Sequence, residues 1–277
     1  MKLSCNYILL SLFLICSCDN KAPTVDLTML IREGNSFFMA GDYDSALSLY
    51  QKVYDLDAEN AIAINNIGEV YEAKNQLDSA ELFFLKAVEI DGDNVFTLNN
   101  LAECYELENN FQKAIEVFDN AILKDSTQAI LYANRGELEL EMHRYDNAMD
   151  DFNKAIEVDS LDALAYNNRA ELREILGEYQ LAILDLNMAV SLDSNYAAAY
   201  LNRGFLQKIL GKDTLALADY DRAIQIDGSQ GPFYIDRGIL KLEMGDVIGA
   251  CDDWISAEDM GFDVSAFQFL LDKYCKD

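Results

Sequence analysis

Residues 61–94 read AIAINNIGEVYEAKNQLDSAELFFLKAVEIDGDN, and the same thirty-four-residue pattern recurs seven times without a gap from Leu27 to Val264. A period of that length marks a stacked helical array, in which each unit buries its apolar face only against its neighbours. One column of alanines sets the register: Ala46, Ala80, Ala114, Ala148, Ala182, Ala216 and Ala250. Twelve residues before each stands another small residue (Gly34, Gly68, Ala102, Gly136, Ala170, Gly204, Gly238). Four residues after it comes a large one (Tyr50, Phe84, Phe118, Phe152, Leu186, Tyr220, Trp254). Small residues let two helix backbones approach and the large side chain fills the space beside them, so each unit reads as a helical hairpin.

The turn inside each hairpin falls on Gly41, Asn75, Asn109, His143, Gly177, Gly211 and Gly245, mostly residue types that tolerate the left-handed conformation ending a helix. The second helix ends at an acidic column, Asp57, Asp91, Asp125, Asp159, Asp193 and Asp227, followed by small or polar residues suited to a tight link.

These columns resemble the tetratricopeptide repeat family. Two positions depart from the family pattern: the fourth is Leu, Ile or Tyr where Trp is usual, and the thirty-second is Ala, Gly or Ser where Pro is usual. The resemblance implies an all-α, right-handed α-solenoid of seven tetratricopeptide helical hairpins at 27–60, 61–94, 95–128, 129–162, 163–196, 197–230 and 231–262. Residues 263–277 follow as a C-terminal capping helix, whose Phe267, Leu270, Leu271 and Tyr274 share one face and would cover the bare apolar side of the last hairpin. Phe269 lies off that stripe.

Ahead of the array, Lys2 and the apolar run YILLSLFLIC (residues 7–16) form a secretory signal, too short for a permanent span. The stretch Ile15-Cys16-Ser17-Cys18 resembles a bacterial lipoprotein box, which implies removal of residues 1–17 and acylation of Cys18; an ordinary cleaved secretory signal is the alternative. An acylated Cys18 would hold the protein at a cell-envelope membrane, more readily the outer than the inner, facing the periplasm or the surface. Residues 18–26 would then be a tether of at most roughly 28 Å.

The net charge is −28, and −29 once Lys2 leaves with the signal. Such a surface repels nucleic acid and anionic lipid, so neither DNA nor RNA is an expected partner. Of the cysteines beyond the signal, Cys104 falls inside a first helix, where a buried free thiol is expected. Cys251 and Cys275 could pin the cap to the last hairpin in an oxidising compartment. The sequence holds no phosphate loop, serine elbow or metal-spaced cysteine and histidine cluster. Its single histidine, His143, occupies a turn, so neither enzyme activity nor a cofactor or metal is expected.

Two columns switch identity together. The seventh position is Glu33, Ile67 and Leu101, then Arg135, Arg169, Arg203 and Arg237; the twenty-third is Leu49, Phe83 and Val117, then Asp151, Asp185, Asp219 and Asp253. Pairing within a hairpin explains the joint switch, whereas pairing between repeats would set Arg135 against Val117.

The first helices line the concave surface in the family resembled, which makes their inward columns the candidate site. Asn66, Asn100, Asn134, Asn168 and Asn202 recur at the sixth position and Asp236 continues the column. Carboxamides there could bind an extended peptide backbone, or could serve helix packing alone. Beside them run Glu69, Glu103, Glu137 and Glu171, joined by Glu72, Glu106 and Glu174. In the last two repeats the inner positions become Leu201, Phe205, Ile209, Ile235, Ile239 and Leu242. The expected partner is therefore a protein or peptide carrying basic residues and an apolar anchor, bound by a scaffold or assembly factor. The rival readings are a structural subunit of an outer-membrane or pilus assembly using its outer face, and a glycan-binding lipoprotein.

Overall fold

The computed structural model describes residues 26–262 and 268–275. Among them the chain is an all-α solenoid. Its hairpins are α1 (Leu27–Met39) with α2 (Tyr43–Leu56), α3 (Ala61–Ala73) with α4 (Leu77–Ile90), and α5 (Val95–Leu107) with α6 (Phe111–Lys124). They continue as α7 (Ala129–Glu141) with α8 (Tyr145–Val158), α9 (Ala163–Ile175) with α10 (Tyr179–Leu192), and α11 (Ala197–Ile209) with α12 (Asp213–Ile226). The last is α13 (Gly231–Glu243) with α14 (Val247–Asp259), and α15 (Gln268–Tyr274) follows.

The turn column does what its residue types allow. All seven residues take positive φ, from 56° at Asn75 to 90° at Gly245, with His143 at 57°. Around Asn75 the Asn75 N–H donates to the Glu72 carbonyl and the Gln76 N–H to the Tyr71 carbonyl, which closes the end of α3. At the other end of each hairpin the acidic column forms side-chain turns. Asp125 Oδ1 accepts from the Thr127 N–H at 2.9 Å and Asp193 Oδ1 from the Asn195 N–H at 2.8 Å.

The alanines of the register column are fully buried, and so are the large residues four positions on, to within 1 %. Close approach is what the small column provides. A Cβ added to Gly68 would sit 2.5 Å from Phe84 Cε1, and one added to Gly238 2.5 Å from Trp254 Nε1. Successive first helices also touch one another, α3 with α5 and onward to α11 with α13, while the second helices make no comparable contacts. First helices therefore form the inner wall and second helices the outer one.

The joint switch of two columns resolves into a repeated charged device. Arg135 Nε and Nη2 donate to both oxygens of Asp151 (2.8 and 2.6 Å), and Arg169–Asp185, Arg203–Asp219 and Arg237–Asp253 repeat that fork. The hairpin pairing holds, but the expectation against a bond between repeats needs correction. The remaining Nη1 of each arginine reaches back to the preceding repeat, to Asp119 (2.5 Å), Asn153 (2.8 Å), Asn187 (2.9 Å) and Asp221 (2.6 Å). Those partners stand at the twenty-fifth position, not the twenty-third. Each guanidinium also lies over the tyrosine three residues earlier, 5.9 Å for Arg135 over Tyr132 and 5.3 Å for Arg203 over Tyr200. Tyrosine occupies the fourth position only in the four repeats that carry the arginine.

At the C-terminal end Cys251 and Cys275 are disulfide-bonded, their Cα atoms 5.5 Å apart. The bond ties α15 to α14, and Leu271 buries against Ala250, Trp254 and Ala257. Leu270 packs beside it, Tyr274 stays at the rim, and Phe269 is 67 % exposed. Phe267 lies outside the described residues.

Candidate functional site

The inner wall carries the candidate columns, and its polar groups are largely engaged with one another. Asn66 Nδ2 donates to Asn35 Oδ1 (3.1 Å), and Asn100 Nδ2 to Asn65 Oδ1 (3.2 Å) and Glu69 Oε1 (2.8 Å). Asn134 Nδ2 donates to Asn99 Oδ1 (2.5 Å), Asn168 Nδ2 to Glu137 Oε2 (3.5 Å) and Asn202 Nδ2 to Asn167 Oδ1 (3.0 Å). Every rung thus spans two successive repeats. The asparagines lock neighbouring first helices in register, and each commits one amide N–H to that bond, Asn100 both.

The glutamates differ. Burial, reinforced by neighbouring glutamates, raises the carboxyls of Glu69, Glu106, Glu137 and Glu174 above the usual range, and it takes Glu72 to about 7. Asn100 and Asn65 pull Glu69 back in part by donating to it. Among the described residues the ion pairs involve other acids, such as Glu81, Glu139, Glu157 and Glu243, and none reaches the ladder of Glu69, Glu72, Glu103, Glu106, Glu137, Glu171 and Glu174. Two recesses open on this ladder. One of about 320 Å³ is lined by Glu72, Glu103, Glu106, Leu107, Asn134 and Glu137. The next, about 390 Å³, shares Glu137 and adds Glu141, Asn168, Glu171 and Ile175.

The apolar end of the wall is divided. Ile235, Ile239 and Leu242 pack on the cluster that seats α15, so that part of the patch is taken up by the chain's own C-terminus. Leu201 packs on the Tyr220–Leu240 cluster, while Phe205 and Ile209 remain 39 % and 44 % exposed. Burial raises the Asp236 carboxyl among these neighbours, and Lys208 opposes the shift.

Two further columns belong to the site and are absent from the sequence reading. Ile62, Phe96, Ile130 and Leu164, exposed by 57, 80, 39 and 40 %, stand seven residues before Glu69, Glu103, Glu137 and Glu171. That is two helical turns, hence the same face. On the other flank Leu107 and Ile175, four residues after Glu103 and Glu171, are 56 % and 51 % exposed. Their signal was available as apolar residues on a helix face whose centre is acidic.

His143 sits in its turn with Nδ1 3.2 Å from the Tyr145 hydroxyl. Among the described residues no group of acids, cysteines and histidine is placed to hold a metal, and no helix is long and apolar enough to cross a membrane. Cys18 lies outside the described residues.

Four family models, each described as a tetratricopeptide repeat, match residues 37–98, 83–116, 134–197 and 197–230. No curated protein matches the sequence significantly. Among solved structures the chain is similar to a tetratricopeptide repeat protein from Parabacteroides merdae, at 23 % identity and TM-score 0.66, over 90 % of this chain and 99 % of that one. It is also similar to a chain of the APC/C hetero-tetramer Cut9-Hcn1, at 15 % identity and TM-score 0.72, over 91 % of this chain and 49 % of that one. A third is PilW, a type IV pilus biogenesis factor, at 19 % identity and TM-score 0.62, over 73 % and 93 %. At these identities the likeness is one of fold.

Proposed function

Because the chain belongs to the tetratricopeptide repeat family, whose arrays are scaffolds that bind proteins or peptides and generally lack catalysis, we propose that the inner wall of repeats two to five holds a basic amphipathic segment of a partner protein. One observation carries this reading: the half-buried Glu69, Glu72, Glu103, Glu106 and Glu174 and the exposed Glu137 and Glu171, all without cationic partners, run between a column of exposed apolar side chains and the exposed Leu107 and Ile175. Unpaired, partly desolvated carboxylates are costly, and the cations of an arriving segment relieve that cost. The flanking aliphatics offer such a segment apolar contacts on either side of its charges. The asparagine rungs act from behind, fixing the spacing of the glutamates.

The test is fluorescence anisotropy of the full chain with two labelled helical peptides of equal apolar content, one built on lysine and the other on glutamate. The lysine peptide should bind, more weakly as salt rises. Changing Glu103, Glu137 and Glu171 together to Gln should slow its association by roughly tenfold. Equal binding of the two peptides, or wild-type association by the triple variant, rejects the reading.

The partner would be met outside the cytoplasm, with the array tethered through an acylated Cys18. Two features support this: the lipoprotein-box residues, and a disulfide of the kind that persists in oxidising compartments. Cys18→Ala should move the protein from the membrane fraction to the soluble one. Retention with unchanged processing would overturn the anchor.

A further inference from the structure

The outer wall is charged on every second helix but one. Exposed acids or lysines stand on α2 (Lys52), α4 (Glu89), α6 (Glu116), α8 (Asp150), α12 (Asp221) and α14 (Asp252). On α10 the exposed residues are Gln180, Leu181, Leu184, Asn187, Met188 and Ser191, all uncharged. Its single charged residue, Asp185, is 3 % exposed and bound by both Arg169 and Arg173. Leu181, Leu184 and Met188, spaced as one helical stripe, are 45, 60 and 42 % exposed, and Leu215 on α12, the second helix of the next repeat, is 54 % exposed. A helix apolar on both faces is ordinarily buried on both, and α10 in the isolated chain is buried on one.

We propose that this face of α10 is a self-association surface that pairs with the same face of a second copy. The chain's own charge selects that occupant. A foreign partner of opposite charge would find better purchase on the acidic helices flanking α10 than on the neutral one. A second copy brings another −28 charges, so two chains can meet closely only where neither presents any. A surface that is self-complementary in this way closes as a two-fold dimer. One helix and a leucine of the next repeat make a contact at the small end of specific interfaces, at or below about 1,200 Å² in total, so the dimer is a reversible one. The surface lies on the outer wall, away from the glutamate ladder, and does not depend on what the inner wall binds.

Sedimentation velocity of the full chain in non-ionic detergent tests it, over a range of concentration and from 50 mM to 500 mM salt. Self-repulsion is screened as salt rises, so the dimer should strengthen, the reverse of the trend expected for a basic peptide on the inner wall. Leu184→Glu sets like charges across the contact and should raise the dissociation constant by roughly tenfold or more. The site is exposed, so folding should be kept, which circular dichroism checks. Leu82→Glu, at the equivalent position of α4 and 63 % exposed, should leave the dimer unchanged. A monomer under all conditions overturns the proposal, as does a dimer indifferent to Leu184→Glu or lost with Leu82→Glu. So does a monomer from which Leu184→Glu removes a different bound protein, since a foreign partner would then cover α10.

Discussion

At the scale of single residues, the arginine forks show what the sequence pattern determines and what it leaves open. Asp151 is held by Arg135 alone, whereas Asp185 accepts from Arg169 and also from Arg173 Nη1 at 2.5 Å. Both carboxylates are buried, to 5 % and 3 % exposure, so removing either strands a partly dry guanidinium. Asp151→Ala and Asp185→Ala should each cost about 3 kcal/mol in urea unfolding. Recovery should differ between them. Arg135→Ile with Asp151→Phe copies Ile67 and Phe83 of the second repeat and should restore most of the loss, because Asp119 is half exposed and tolerates losing its arginine. Arg169→Ile with Asp185→Phe leaves Arg173 unpaired and should restore much less. Equal recovery would mean that Arg173 contributes nothing. The fork was legible from the joint switch of two columns; the second cation was not, because Arg173 and Lys241 fill the eleventh position in only two repeats.

Among the elements, α15 is the one that depends on a covalent tie. It is seven residues long, too short to persist as a helix without tertiary support, and it buries little besides Leu271. The disulfide closes a separation of 24 residues, for which loop-closure entropy gives roughly 3–4 kcal/mol. Its loss should therefore be local. Cys251→Ser with Cys275→Ser should raise hydrogen exchange of α15 to near-free rates and red-shift the emission of Trp254, the chain's single tryptophan, which is fully buried and packs in the cluster that seats α15. Helices α1 to α12 should keep their protection. Unchanged protection of α15 would show that Leu270 and Leu271 suffice. The helix could be read from its apolar spacing; the pairing of the cysteines required the distance between their backbones.

For the whole molecule, periodicity made the architecture legible, since each thirty-four-residue unit packs only on its neighbours and one unit's columns describe them all. The inner wall was legible in part. Doublets such as Asn65-Asn66 and Asn99-Asn100 recur in the sequence, but that the sixth-position asparagine bonds the fifth-position asparagine of the preceding repeat follows only from how far apart successive first helices lie. The charge of the glutamate ladder likewise depends on burial, which spacing cannot supply, and it makes stability and binding respond to pH in opposite directions. Glu72 has a folded value of about 7 against 4.5 for the free side chain, and Glu69, Glu106, Glu137 and Glu174 are shifted the same way. The folded array therefore binds more protons than the unfolded chain between about pH 4.5 and 7, and stability must fall as pH rises through that window. The lowered carboxyls, Asp42, Asp125 and Asp227, act in the opposite sense only below it, as pH falls below the free aspartate value of 3.8. Thermal unfolding should thus occur at higher temperature at pH 5.5 than at pH 7.5, with Glu72→Gln reducing the difference. A basic segment prefers the ionised ladder, so binding it should release protons and weaken as pH falls from 7.5 to 6. Calorimetry in buffers of different ionisation enthalpy reads that release directly. Binding without proton release, on an array whose unfolding temperature is flat across the window, would mean that the glutamates are ordinary solvated carboxylates and that the segment gains nothing from them.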